Sequence, residues 1–111
     1  MTRAELGTGQ TDYAITGRSD TFATTQGTIV CVWQVQGVPS DVPIRGVWIA
    51  EDVGSAAPPN SKIAEKSLTG ASTGDFTLTR SSNEWPVGKY RIDIYIGDVL
   101  AKSLPYTITK Q

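Results

Sequence analysis

The sequence predicts an all-β fold, an antiparallel two-sheet sandwich of about seven strands, and three observations carry that expectation. Nine Val and nine Ile stand against five Leu, with fourteen Thr beside them. β-Branched side chains lose rotamer freedom in a helix but pack well on a pleated sheet. Short apolar alternations recur with Gly, Pro, Asp and Ser between them, the period-two pattern of half-buried strands. No segment places apolar residues at helical spacing over three turns. The 111 residues, 39% hydrophobic and 19% charged, are expected to form a single domain over 1–111 with one core.

The first strands are expected at Ala4–Thr8 and, more weakly marked, Tyr13–Thr16, ahead of the polar turn Gly17–Asp20. Phe22 is expected to plug one end of the core. Thr28–Gln36 carries Ile29, Cys31, Trp33 and Val35 on one face and Val30 and Val32 on the other. Apolar residues on both faces mark a central strand. Gly37–Asp41 turns the chain into Ile44–Glu51, where Trp48 is a core residue. The loop Gly54–Ser61 cannot pair as an interior strand, because Pro58 and Pro59 lack donors.

Ser61–Leu68 is more polar, as befits an edge strand, and Thr69–Gly74 connects it to Asp75–Arg80, with Phe76 and Leu78 inward. Tyr90, Ile92, Ile94 and Ile96 then share one face, and Lys89, Arg91, Asp93 and Tyr95 the other. Gly97-Asp98 is a two-residue hairpin signal. Val99–Thr109 returns with Leu104, Tyr106 and Ile108 inward, and Pro105 marks an edge or bulge. The short connections make the strands antiparallel, at the count and spacing of a sandwich.

Composition excludes several function classes. Ten basic residues against eleven acidic are mixed along the chain, for a net charge of -1. A nucleic-acid partner or a polybasic membrane anchor needs a basic face, and none is present. No apolar run reaches transmembrane length, so no membrane insertion is expected. Met1–Glu5 is not followed by an apolar stretch. That opening fits a cytoplasmic chain or, as favoured here, an extracytoplasmic domain cut from an exported precursor with an added Met.

Cys31 is the one cysteine, which excludes an intrachain disulfide, and it reads as a small buried hydrophobe. There is no His to serve as base for a Ser or Cys nucleophile or as a zinc ligand. Zinc and phosphate motifs are absent. Glu51 and Asp52 are adjacent, so on a strand they point to opposite faces and cannot flank one substrate. Asp12, Asp20, Asp41, Asp75, Asp93 and Asp98 are scattered, mostly beside turn residues, where Asp bonds nearby backbone. The expectation is a chain that is not an enzyme and holds no cofactor or metal.

Trp85-Pro86-Val87-Gly88-Lys89-Tyr90, the alternating Ile strand, the tight turn and Pro105-Tyr106-Thr107-Ile108 together form a recognisable closing unit. It resembles the last hairpin of bacterial immunoglobulin-like and fibronectin-type-III-like domains. Phe22 ahead of the Thr28–Val35 strand and the strand around Trp48 are similar too, so the resemblance covers most of the chain. Its distinctive part is Trp85–Tyr90. The resemblance implies an immunoglobulin-like sandwich serving as a noncatalytic interaction or structural module. Such modules are used in scaffolding, adhesion or assembly by exported or membrane-anchored bacterial proteins. It also implies a tyrosine corner, in which the Tyr90 hydroxyl turns back onto upstream backbone. In antibody domains a cysteine lies two residues beyond that Tyr; here Ile92 stands there, with Cys31 on the opposing strand. The chain therefore groups with disulfide-free sandwiches.

Two edges are expected. Ser61–Leu68 is guarded by Lys62, Glu65 and Lys66, whereas on Leu104–Thr109 only Pro105 removes a donor. Trp85 is expected to pack at the start of its strand, and Arg91, Asp93 and Tyr95 to form a solvated face with cross-strand pairs. The candidate interaction surface is therefore Trp85, Arg91, Asp93, Tyr95, Leu104, Tyr106 and Thr107. The expected partner is another protein, a neighbouring domain or a subunit, bound by a rigid surface or by edge pairing. Carbohydrate stacked on Trp85 or Tyr95 is the alternative.

Overall fold

The computed structural model describes residues 3–79 and 84–110. Its strands begin with β1 (Arg3–Gly7), β2 (Gly9–Thr11), β3 (Ala14–Thr16), β4 (Thr21–Ala23) and β5 (Thr28–Gln34). They continue with β6 (Pro43–Asp52), β7 (Ser61–Thr69), β8 (Thr73–Thr79), β9 (Gly88–Ile96) and β10 (Val99–Thr109). A smaller sheet has the order β1-β5-β8 and a larger one β4-β10-β9-β6-β7, while β2 and β3 form a separate hairpin. The core lies between the two sheets. Leu6, Ile29, Cys31, Trp33, Phe76 and Leu78 come from the smaller sheet, and Ile44, Trp48, Tyr90, Ile92, Ile94, Tyr106 and Ile108 from the larger. Each set follows the period of two that the alternations predict.

Three features depart from the sequence reading. The short strand β4 was not anticipated, and it carries the buried Phe22. It pairs with β10 in parallel, Thr107 opposite Thr21 and Ile108 opposite Phe22, whereas antiparallel pairing was expected throughout. The chain crosses between sheets just before it: the Ser19 N–H donates to the Leu6 carbonyl at 3.1 Å, and the Thr107 N–H donates to the Asp20 carbonyl at 2.9 Å. Consequently Leu104–Thr109 is not a bare edge, because β4 covers its last three residues. Arg80, expected to end a strand, lies outside the described residues.

β5 is central, as its two apolar faces predict. Its outer face has a second cover: the β2–β3 hairpin packs across β5, and Val30 and Val32 are buried. The hairpin sits so close that a Cβ on Gly7 would lie 2.6 Å from the Thr16 carbonyl oxygen. At its tip Asp12 and Tyr13 adopt φ of 50° and 61°, the pair of left-handed residues that a tight type I′ turn requires.

The Trp85–Tyr90 segment closes one end of the sandwich. The Tyr90 hydroxyl donates to the Pro86 carbonyl, four residues upstream, which is the tyrosine corner. Tyr90 is buried and cannot replace that bond with water. Tyr90→Phe is expected to cost about 1–2 kcal/mol, read as a lower urea midpoint at unchanged m-value.

Cys31 is buried and unpaired. Burial, and secondarily the Asp75 charge, push its thiol up from 9.0 to about 12. Burial likewise pushes Tyr90 from 10.0 to about 12. The unfolded chain, with ordinary groups, loses these protons first. Stability is therefore full below about pH 9 and falls as the pH rises toward 12. Cys31→Ala is expected to move the onset of that decline up to the tyrosine range. Denaturant midpoints across alkaline pH check this, and an unmoved onset contradicts it.

Candidate functional site

Period two sends Arg91, Asp93 and Tyr95 of β9 to the outer face of the larger sheet, and the partner strands decide what they meet. Asp93 stands between Val47 of β6 and Ser103 of β10, and Arg91 between Ile49 and Pro105. The Arg91 Nε donates to both Asp93 oxygens, at 3.0 and 3.2 Å. Its Nη1 donates to Glu51 Oε2 at 3.2 Å and to Asn60 Oδ1 at 2.8 Å. The Ser103 hydroxyl adds a bond of 2.7 Å to Asp93 Oδ1.

Asp93 is only 6% exposed, although it lies on a face expected to be solvated. A buried carboxylate is tolerated where donors and a counter-charge replace its water. Arg91 and Ser103 do so. The hydrogen bond to Asp93, then that to Glu51, raise the Arg91 pKa further, against the opposing effect of its own desolvation. The group fixes β6, β9 and β10 to one another and makes the middle of this face rigid.

Toward the β9–β10 turn the face changes character. The Arg45 guanidinium lies 4.5 Å from the centre of the Tyr95 ring, close enough for a cation–π contact. Arg45 also pairs with Glu65 at 3.6 Å, and Glu65 with Lys62 at 3.3 Å. Leu100 is the cross-strand partner of Tyr95. Leu100 is 51% exposed and its neighbour Val99 69%. Leu100 thus stands in solvent beside an aromatic ring held by an arginine, while Val99, opposite Ile96, is exposed on the other side of the strand.

The other candidate residues lie elsewhere. Trp85 is half-buried against the core, its indole N–H donating to the Gln26 carbonyl at 2.6 Å and its backbone N–H to the Thr24 carbonyl at 3.0 Å. Tyr106 is 3% exposed. It stacks on Tyr90 at 5.3 Å and meets Phe22 and Trp48 edge-on at 5.7 and 6.1 Å, so it presents no surface. Thr107 donates its backbone N–H to the Asp20 carbonyl, just ahead of β4. Leu104 is half-buried, packs against the core and lines a cleft of about 500 Å³ between β1 and β10. A second cleft of about 550 Å³ lies between the Gln34–Ser40 and Gly70–Ser72 loops.

Of the seven candidates, Arg91, Asp93 and Tyr95 therefore come together. Sequence reasoning missed Arg45, Glu51, Val99 and Leu100. The alternation Arg45, Val47, Ile49, Glu51 could have placed the first two on the same face. Among the described residues, no group of three or more His, Cys, Asp or Glu side chains is placed to hold a metal ion. None of their helices is long and apolar enough to cross a membrane.

No protein-family model matches the sequence, and no curated protein matches it. Among solved structures, an immunoglobulin-like protein from Pseudomonas aeruginosa is similar, with a TM-score of 0.61 and 16% identity over 98% of this chain and 94% of that one. The chain has the immunoglobulin-like fold, and at that identity the likeness concerns the fold alone.

Proposed function

We propose that the chain is a noncatalytic interaction module that binds another protein through the outer face of the larger sheet, at the β9–β10 end. Its setting in this reading is a scaffolding, adhesion or assembly role in an extracytoplasmic bacterial protein, which rests on the resemblance carried by Trp85–Tyr90. The observation behind the contact surface is the exposed Leu100, opposite Tyr95 and beside Arg45 on the same face. Exposed apolar patches rimmed by polar groups mark interaction sites. Tyrosine and arginine are enriched among the residues that dominate binding energy. Here Arg45 is already held by Tyr95 and Glu65, so less side-chain freedom is lost on association.

The sugar-stacking alternative gains little from this geometry. Trp85 packs at one end of β9 and Tyr95 lies near the other, seven residue steps from Gly88, or roughly 23 Å at strand rise. One face of Tyr95 is occupied by Arg45. The two rings do not form a joint platform.

A photo-crosslinking amino acid substituted for Leu100 in the cell of origin tests the reading. The expected result is a discrete protein adduct, lost when Tyr95→Ala and Arg45→Ala are added. The same probe at the exposed Glu84 should give none. No adduct at position 100, or an identical adduct from position 84, contradicts the proposal.

A further inference from the structure

We infer that the free edge of β8 is a strand-acceptor site, which takes an extended segment of another protein with a carboxylate on its inward face. It is separate from the β9–β10 tip. β8 ends the smaller sheet and pairs with β5 on one side. The Val35 N–H donates to the Ser72 carbonyl at 2.8 Å, in register with that ladder. In an antiparallel pair the backbone groups turn toward the partner at every second residue. Gly74, Phe76 and Leu78 therefore bond to β5, while Thr73, Asp75, Thr77 and Thr79 present an N–H and a carbonyl outward. Among the described residues, no backbone group bonds to these four from the open side.

β8 lacks the features that spoil the other edges. Ahead of Thr107, β10 carries Pro105, the exposed Lys102 and an irregular ladder. β7 carries Lys62, Glu65 and a register shift after Trp48. The β5–β8 ladder runs unbroken over 7 residues, and β8 holds no proline or lysine. There is also room beside it. β8 lies over β6, since a Cβ on Gly46 would lie 2.5 Å from the Phe76 ring. β7, the next strand out in the other sheet, therefore extends beyond the β8 edge. β7 meets β8 at the end where Gly70–Ser72 joins them, with Leu68 close to Gly74. Further along, Thr77 and Thr79 are exposed. A strand added to β8 continues the smaller sheet about 5 Å further out and lies about 10 Å from β7, face to face.

The inner face of β7 sets the chemistry of the occupant. Ala64, Lys66 and Leu68 take its inward positions, opposite Trp48, Gly46 and Ile44. Ala64 and Leu68 pack against the core. Lys66 between them is exposed and, among the described residues, has no ion-pair partner. An added strand places its inward side chains over these three, so the fitting order is apolar, acidic, apolar, with the acid level with Phe76. A second copy does not meet that requirement. Two β8 strands paired about an axis at Phe76 would bring both Lys66 ammonium groups together on the inner face. An axis at Asp75 would set that carboxylate against its own copy.

The test uses the intact chain and the peptide Thr-Val-Thr-Glu-Thr-Val-Thr, with amide exchange followed by NMR. In one control the Thr residues are N-methylated, which removes the donors that face β8. In another, Gln replaces Glu. In the free chain Asp75 and Thr77 should exchange almost as unprotected amides, and Phe76 slowly. Excess peptide should slow Asp75 and Thr77 by about ten-fold or more, leave Leu100 unmoved, and lose its effect when methylated. The Gln peptide should bind about two- to five-fold more weakly, and Lys66→Glu should reverse that preference. Thr77→Pro, with circular dichroism unchanged, should abolish the slowing at Asp75. The proposal is overturned by no slowing at Asp75 and Thr77, by equal slowing with the methylated peptide, or by a Glu–Gln preference that Lys66→Glu leaves unchanged. Slowing that follows the chain's own concentration without peptide would make a second copy the occupant and equally overturn it.

Discussion

Trp48→Ala is expected to lower stability by about 3–5 kcal/mol, as large-to-small core changes do where the site cannot collapse. Trp48 is fully buried in β6, with Ala64 of β7 and Ile92 of β9 as its cross-strand partners, and its ring meets Tyr106 edge-on. β6 is paired with β7 on one side and β9 on the other, so little backbone can move in to fill the gap. Removing the indole also leaves the Phe22–Tyr106–Tyr90 cluster without one wall. Since a domain of this size is stable by about 5–15 kcal/mol in all, the variant should be marginal at room temperature. A loss within about 1 kcal/mol would contradict the packing described, because it would require the sheets to close over the vacated volume.

Gly88→Ala is expected to be comparably damaging for a different reason. Gly88 opens β9 with φ of 156°, and an added methyl carbon would lie 2.2 Å from the Asp52 carbonyl oxygen and 2.9 Å from Val53 Cα. These are backbone atoms in the segment where the β6–β9 register shifts, between Ala50 and Asp52. A side chain could rotate away; this backbone cannot. The expected loss is about 3 kcal/mol or more, combining forced displacement with an unfavourable dihedral. Gly37→Ala is the control: its φ of 73° is also positive, but nothing lies within 4 Å of the added carbon. It should cost only about 1 kcal/mol. Equal effects at the two positions would show that the dihedral matters and the close approach to Asp52 does not.

The same glycine explains why Trp85–Tyr90 was the most legible part of the sequence. Within six residues Trp85 bonds to Gln26 at the end of the sandwich, Pro86 supplies the acceptor for Tyr90, and Gly88 permits the approach of Asp52. The demands are local, so they leave a local signature. The alternations of β5, β6, β9 and β10 were legible for a similar reason, because each strand buries one face by its own period. β4 was not. Its Thr-Phe-Ala offers one apolar residue, and its partner lies more than eighty positions away, where connection length says nothing about direction.

The candidate site divides along the same line. Arg91, Asp93 and Tyr95 share a face by periodicity alone, and the structure keeps them together. That Asp93 is buried there depends on Ser103 and on Arg91, which in turn reaches Glu51 and Asn60. Those partners come from three other segments; the alternation in β6 places Glu51 on the shared face, but no spacing in the sequence announces Asn60 or Ser103 as partners. Tyr106 and Thr107 followed the expected alternation, yet offer little to a partner. One is enclosed by three aromatic rings, and the other is paired with a strand too short to have been read.

Amide hydrogen exchange along β10 of the free chain tests the central structural claim most directly, that this strand is covered from Thr107 onward and bare before it. The account predicts slow exchange at Thr107, whose N–H is bonded to Asp20, and at Ile94 in the middle of the larger sheet. It predicts exchange close to that of an unprotected amide at Ser103 and Ala4, although both lie inside strands. Protection at Ser103 equal to that at Thr107 would mean that the edge is already closed, and would contradict the account.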